Sequence, residues 1–446
     1  MAFKLGILGL GTVGCGTVQL LSDSENRHPL LEEIEIHRVG VRSPDKPRDV
    51  ELPEGVITTD LEAIVTDPEV DIVVEVMGGL EPARELMLKA IRNGKHVVTA
   101  NKAAISRFGE ELYTAANQAG VYVMLEASVG GGIPVIQPLK QSLSVNKIQA
   151  VTGIINGTTN YILTRMQNEG SSFDDVLADA QKLGYAEADP TADVEGLDAA
   201  DKISILASIA FDGGINREDV YCEGIRQISK TDIEYAQKLG FVIKLLAIAE
   251  KVNSSSISVR VHPTLVPSGH PLASVNGVNN AIFIEGEPIG QVMFFGPGAG
   301  AGATASAVSS DILNLISQLI SLPESNNQDS GNKSKYKSKY QISCLNPLLA
   351  SFHQENCQLA PREELVTRFY ARFLTKDRPG VIGKLGTCFG ECEVSLESIV
   401  QTGFQEKLAE IVVVTHDVTE GSFHQALDKI RNLEAIDSIP SLLRVL

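Results

Sequence analysis

From Phe3 to Tyr122, short runs of β-branched and aliphatic residues alternate with segments whose apolar positions recur every three or four residues. Phe3 to Leu8, Ile34 to Val41, Asp71 to Val76, His96 to Thr99 and Val121 to Leu125 read as strands. Several are apolar at consecutive positions, as strands covered on both faces are. Thr12 to Ser22, Leu61 to Val65, Pro82 to Asn93 and Phe108 to Gln118 carry the helical period between them. One-by-one alternation of this kind predicts a parallel α/β sheet.

After Glu126 the pattern changes. A glycine-rich stretch, Ser128 to Pro134, leads to a strand near Gln149 to Ile155, then to helical patterns from Thr158, Phe173 and Gly196. Strand-like runs follow at Phe241 to Ala249, Ser256 to Leu265, Ala281 to Glu285 and Gln291 to Phe295. Helices and strands grouped in this way predict an α+β second domain. Gly296 to Ala303 then opens a helix reaching about Ile320, which is expected to pack back on the first domain. Ser325 to Lys339, polar and nearly without apolar residues, reads as a linker. Beyond it the order is strand (Val366 to Leu374), helix (Pro379 to Phe389), strand (Val394 to Thr402), strand (Leu408 to Thr415), helix (Ser422 to Asn432) and a last strand, a βαββαβ ferredoxin-like unit. The expected division is 1–130, 131–322, a linker 323–362, and 363–446.

The 446 residues accommodate three domains at ~150 residues each. A formal charge of −18 disfavours nucleic acid and anionic membrane as main partners, because both are repelled at long range. No apolar run approaches the ~18–20 residues that span a bilayer. Six scattered cysteines, with neither zinc-ligand spacing nor a disulfide framework, fit a reducing cytoplasm.

Gly9-Leu-Gly11-Thr12-Val13-Gly14 follows a strand and opens a helix, the context a dinucleotide fingerprint requires. Gly9 permits the bend, Gly11 lets backbone approach a pyrophosphate, and Gly14 packs helix on strand. The first domain is therefore expected to be Rossmann-type. At the end of the second strand, where NAD sites place a carboxylate, stands Arg42, followed by Lys46 and Arg48. Cations there suit the 2′-phosphate of NADP, while Asp45 keeps NAD open. Glu75 to Gly79 and Thr99-Ala-Asn101-Lys102 close the next two strands and are expected to point toward the cofactor, with Lys102 near nicotinamide or substrate.

Six carboxylates from Glu187 to Asp201 precede Lys202 without an intervening cation. Asp198 and Lys202 are spaced i, i+4 on a helix that is otherwise apolar almost all round, so the pair is expected to line a polar cavity rather than solvent. A desolvated lysine beside a carboxylate can donate to an oxygen on which charge develops. Glu187 and Asp198 suit an ammonium or hydroxyl group, and the helix opened by Asn156-Gly157-Thr158 can hold a carboxylate on its N–H groups. The implied substrate is amino-acid-like. A transition-metal cage is disfavoured, because no histidine falls in the cluster.

On these motifs, together with Glu126 to Pro134, Asn156 to Asn160, Gly184 to Glu187 and Glu195 to Lys202, the chain resembles homoserine dehydrogenase followed by an ACT domain. The resemblance implies NAD(P)-dependent interconversion of L-aspartate 4-semialdehyde and L-homoserine, on the route to threonine, methionine and isoleucine. It implies Lys202 as proton donor, Glu187 and Asp198 as substrate carboxylates, and Lys102, Gly184 and Gly302 near the cofactor. It also implies a monovalent cation, sodium, on Glu126 and the carbonyls of Val129, Gly131 and Ile133, and a homodimer or homotetramer. Asp377, Pro379 and Gly380 match the ACT amino-acid motif, which implies feedback control by threonine and a third unit removable without loss of catalysis. A phosphorylating semialdehyde dehydrogenase needs a nucleophilic cysteine, and none stands in the required setting. A non-catalytic amino-acid or redox sensor needs neither Lys202 nor Glu187.

Overall fold

A computed structural model describes residues 2–321, 345–351, 355–405 and 408–446; the expected linker Ser325 to Lys339 lies outside them. The chain forms two compact units, Met1–Ile148 with Ser204–Arg217 and Glu285–Asn356, and Gln149–Ile203 with Glu218–Ile284 and Cys357–Leu446.

The first unit carries six parallel strands in the order Ile57–Thr58, Ile34–Gly40, Phe3–Leu8, Ile72–Glu75, His96–Thr99, Val123–Met124. This is the Rossmann order. The chain leaves Phe3–Leu8 in opposite directions, so the crevice at that strand's carboxyl end is the topological switch point where ligands bind. Ile57–Thr58 is too short to give a periodic signal. The helix predicted from Phe108 begins instead at Lys102 and runs to Ala119, because the Asn101 side chain accepts from Ala104 N at 3.1 Å and caps it. The helix Ala301–Ile320 packs on Thr12–Ser22: a Cβ at Gly16 would stand 3.0 Å from Ala305 Cβ, so glycine sets the approach. Val308, Ile312, Leu315 and Ile316 complete the core with Leu5, Ile7 and Val18.

In the second unit, strands run in the order Asn279–Glu287, Lys147–Ile154, Phe241–Lys251, Ser256–Pro267, Ile436–Val445, Val366–Lys376, Leu408–Thr415, Leu396–Gln405. The last four, with helices Val381–Gly390 and Glu420–Arg431, are the ferredoxin-like ACT fold, its strands antiparallel. Its final strand pairs in parallel with Ser256–Pro267, Thr264 against Arg444 and Leu265 against Val445, so one sheet runs through both folds. A buried ion cluster crosses the same boundary. Arg372 on the first ACT strand donates to Asp232 and Glu410 at 2.9 Å each, and Tyr235 donates to Glu410 at 2.5 Å. Asp232 and Tyr235 lie on the helix Lys230–Lys238, which the sequence pattern does not reveal because it carries few apolar residues. The predicted ACT helix starts at Val381 rather than Pro379, since Gly380, at φ +89°, turns the chain as its N-cap.

No described helix is long and apolar enough to cross a membrane. Cys15, Cys388 and Cys392 are free thiols.

Candidate functional site

In the first unit, strand Phe3–Leu8 delivers the chain to Gly9, whose φ of +106° makes the bend. A Cβ at Gly14 would fall 2.2 Å from Gly9 O, whereas one at Gly11 would meet nothing within 4 Å. The helix thus closes on the strand at Gly14 while the backbone at Gly11 stays open. Gly11 is the N-cap of Thr12–Ser22 and offers no side-chain cap, so the N–H groups of Thr12 and Val13 are left for an anion. These residues fit a dinucleotide pyrophosphate. Gly14→Ala is expected to force the turn apart, a strain of ~1–3 kcal/mol, and to weaken dinucleotide binding about tenfold or more. Fluorescence titration with NADPH checks this; unchanged affinity would reject the turn as the cradle.

Arg42 is exposed just past its strand. Arg48, which the sequence groups with it as a basic turn, is engaged otherwise. Its guanidinium donates to the carbonyls of Leu10 (3.3 Å), Ser43 (2.7 Å), Pro44 (3.1 Å) and Lys46 (2.8 Å), tying the 43–47 loop to the glycine turn. Glu75, fully buried, accepts from Thr99 Oγ1 (2.7 Å), Met77 N (2.9 Å) and Gly78 N (3.2 Å), and burial raises its pKa. Asn101 Nδ2 donates to Gly79 O at 2.7 Å. Glu75 and Asn101 therefore shape the strand ends rather than offering side chains to a ligand. Lys102 is half-buried at the start of its helix. Gly302 is exposed in the first turn of Ala301–Ile320, with open space at its Cβ position.

In the second unit the structure joins three expected residues. Lys202 Nζ donates to Asp198 Oδ2 and to Ile155 O, both at 2.7 Å. Asp198 Oδ2 also accepts from Asn156 Nδ2 at 2.9 Å. Asp198 and Lys202 are 8% and 9% exposed, so this is a desolvated pair and not a solvated helix face. Asn156 is held from its other end, its Oδ1 accepting from Thr159 N as the N-cap of Gly157–Glu169. Thr158 Oγ1 donates to Tyr185 O at 2.6 Å, joining that helix to the turn containing Gly184, at φ +76°. Gly157 passes so close to Val278 O, 2.8 Å from a would-be Cβ, that no side chain fits.

Glu187 lies apart from this network, exposed, its carbonyl accepting from Gln181. Asp193 takes a place that the sequence does not single out. Asn156 Nδ2 donates to its Oδ1 at 2.7 Å, and burial pushes its carboxyl up, opposed by that bond and reinforced by the charge of Asp198. Lys244, also missed, is 1% exposed and donates to Val275 O (2.5 Å), Asn160 Oδ1 and Asn276 Oδ1 (both 3.1 Å), bracing the loop against Gly157. Burial pulls its pKa down to about 8. Its signal in the sequence is a lone cation in an apolar strand, which must find buried acceptors.

In the glycine-rich loop of the first unit, the Glu126 carboxylate accepts from Val135 N (2.6 Å), Ile136 N (2.8 Å) and Gln137 N (2.8 Å). Its side chain is thus engaged by three backbone donors, and its carbonyl accepts from Val129 N at 3.4 Å. The carbonyls of Val129, Gly131 and Ile133 accept no hydrogen bond among the described residues, although Val129 and Ile133 are 0% and 2% exposed. Buried carbonyls without donors suit a hard cation. Asp311 Oδ2 accepts from Glu126 N at 2.8 Å, and burial, then the Glu126 charge, push Asp311 up to about 8. In the ACT fold, Asp377, Pro379 and Gly380 are exposed, and Lys376 and Arg378 flank them, each 3.5 Å from Glu434.

Sequence models described as "Homoserine dehydrogenase, NAD binding domain", "Homoserine dehydrogenase" and "ACT domain" match residues 9–126, 134–313 and 369–435. The chain is 61% identical over 449 aligned residues to a homoserine dehydrogenase of Synechocystis sp., covering 100% of both. It superposes on the crystal structure of a homoserine dehydrogenase from Thiobacillus denitrificans with a TM-score of 0.90 at 39% identity, over 100% of this chain and 98% of the other. A hyperthermophilic archaeal homoserine dehydrogenase in complex with NADPH matches with a TM-score of 0.61 at 28% identity, over 71% of this chain and 98% of that one.

Proposed function

The chain belongs to the homoserine dehydrogenase family, and from that premise we propose that it reduces L-aspartate 4-semialdehyde reversibly to L-homoserine with NADP(H), on the route to threonine, methionine and isoleucine. The observation that carries this reading is the buried Lys202–Asp198–Asn156 constellation at the start of Gly157–Glu169. Bound nicotinamide supplies the hydride. Lys202 donates a proton to the aldehyde oxygen as charge develops there, and Asp198 holds the ammonium in place before transfer. The Gly157 and Thr158 N–H groups orient the substrate carboxylate, with Glu187 and Asp198 receiving its ammonium and hydroxyl groups. Lys102 assists beside the nicotinamide, and Gly184 and Gly302 line the cofactor.

Arg42, exposed just past its strand, holds the 2′-phosphate of NADP; the archaeal relative is likewise described in complex with NADPH. NAD is the weaker alternative. The carbonyls of Val129, Gly131 and Ile133, which accept no hydrogen bond among the described residues, support a sodium ion held there with Glu126. Threonine, received at Asp377, Pro379 and Gly380, is the feedback inhibitor, and the enzyme works in the cytoplasm as a homodimer or homotetramer. The functional division is a cofactor domain 1–130, a substrate and oligomerisation domain 131–322, a linker 323–362 and a regulatory domain 363–446.

The test is reduction of NADP⁺ and of NAD⁺ by L-homoserine. The wild-type chain is expected to prefer NADP⁺, and Arg42→Glu to lower that preference about ten- to a hundredfold, the worth of ~1.5–3 kcal/mol in a charged hydrogen bond. An unchanged ratio would reject the 2′-phosphate reading.

A further inference from the structure

In the second unit a cavity of about 100 Å³ opens between the strand Ser256–Pro267 and the segment leading into the ACT fold. A buried water needs ~10–15 Å³ measured in this way, so there is room for about seven to ten heavy atoms. The lining holds unused donors and an unused acceptor. Arg260, 7% exposed, donates through Nε to His262 Nε2 (3.2 Å) and through Nη1 to Glu250 (2.7 Å) and Ser258 Oγ (2.8 Å). Its Nη2 makes no hydrogen bond among the described residues. Arg362 donates through Nε to Glu420, and its Nη2 lies 3.4 Å from His424 Nε2, which leaves Nη1 in the same condition. Its guanidinium is fixed 4.0 Å above the Tyr221 ring. The Asp219 carboxylate is exposed and accepts no hydrogen bond among the described residues.

The charge balance selects the ligand class. Arg260, Arg362 and Arg444 are paired with Glu250, Glu223 and Glu420, and the Asp219 carboxylate adds a fourth negative charge at the lining. His262 adds no cation, since burial, then Arg444 and Arg260, hold its pKa well below the usual range. A region with no excess of cations has little attraction for a bare anion. Two lining guanidinium groups, each with an unused nitrogen, beside one carboxylate that accepts no hydrogen bond among the described residues complement a molecule bearing both charges, its carboxylate on the arginines.

We propose that this cavity binds a small free α-amino acid, its carboxylate on Arg260 Nη2 and Arg362 Nη1 and its ammonium on Asp219. Such a ligand joins Asp219, Tyr221 and Arg260, which precede the ACT fold in the chain, to Arg362 and Glu420 at its edge. The site uses none of Asp377, Pro379 and Gly380. It rests on the proposed amino-acid control only for the choice of probes.

Calorimetric titration of the full chain tests this with L-alanine, L-threonine and L-methionine, and with two fragments of threonine, 3-hydroxybutyrate and 1-amino-2-propanol. At least one amino acid is expected to bind, both fragments to bind at least about tenfold more weakly, and Asp219→Asn to weaken the amino acid about tenfold. Ala360→Phe, which fills the cavity, is expected to abolish that binding while homoserine turnover persists. Binding that survives both Asp219→Asn and Ala360→Phe overturns the proposal, as does 3-hydroxybutyrate binding as tightly as threonine, or no amino acid binding at all. Gly380→Val separates the two readings. Binding lost only in that variant places the effector on the ACT loop and overturns the cavity, whereas binding lost only in Ala360→Phe leaves the cavity standing and removes the loop.

Discussion

Replacing Lys202 by methionine is expected to lower kcat by about 10²–10⁴, the usual worth of a positioned general acid, while NADPH still binds. Methionine keeps the length and apolar stem of the side chain. It removes the ammonium that sits 2.7 Å from both Asp198 Oδ2 and Ile155 O. Asp198 keeps its bond from Asn156 Nδ2 but loses its buried cation, so some loss of stability accompanies the loss of turnover. The two effects are separable. Asp198→Asn keeps a hydrogen-bonding side chain of the same shape and is expected to reduce kcat and raise KM together, since it touches both the lysine and the substrate ammonium. A Lys202→Met enzyme with near-normal kcat and a normal unfolding midpoint would remove this residue from the chemistry.

The second large effect is on stability. Arg372→Ala is expected to destabilise the fold by ~3–5 kcal/mol, because Asp232 and Glu410 are left facing one another in the interior without their cation. Side-chain exposures of 5% for Arg372 and 0% for Asp232 place the pair away from solvent. Urea titration reads the change, and the triple variant Asp232→Asn, Glu410→Gln, Arg372→Met is expected to recover most of it by removing all three charges. An Arg372→Ala midpoint equal to wild type would mean that the cluster is solvated. The same geometry revises the sequence-based expectation that the chain can end at Ser325 without cost. Such a truncation strips the strand Ser256–Pro267 of its neighbour Ile436–Val445 and removes Arg372 from Asp232. It is expected to accumulate as insoluble protein rather than as an uninhibited enzyme.

How much of this was legible in advance depended on the range of each interaction. The parallel sheet was readable because its strands are continuously apolar and its helices periodic, both local properties. Lys202 and Asp198 were readable for the same reason, being four residues apart on one apolar helix. Within the acidic stretch, however, Glu187 and Asp193 look alike on paper. Only the fold shows that Asp193 reaches Asn156 while Glu187 stays in solvent. Arg48 misleads in the opposite direction: it reads as a free cation and proves to be a loop brace, because its partners are carbonyls, which a sequence does not distinguish. The continuity of the ACT sheet with Ser256–Pro267 rests on pairing between strands far apart in the chain, for which no local pattern exists.

The most direct measurement is NADPH oxidation on addition of L-aspartate 4-semialdehyde to the purified chain, with the product identified. One L-homoserine is expected to form per NADPH consumed, at a rate that Lys202→Met nearly abolishes. No oxidation by the wild-type chain, or oxidation that leaves the aldehyde unreduced, would contradict it.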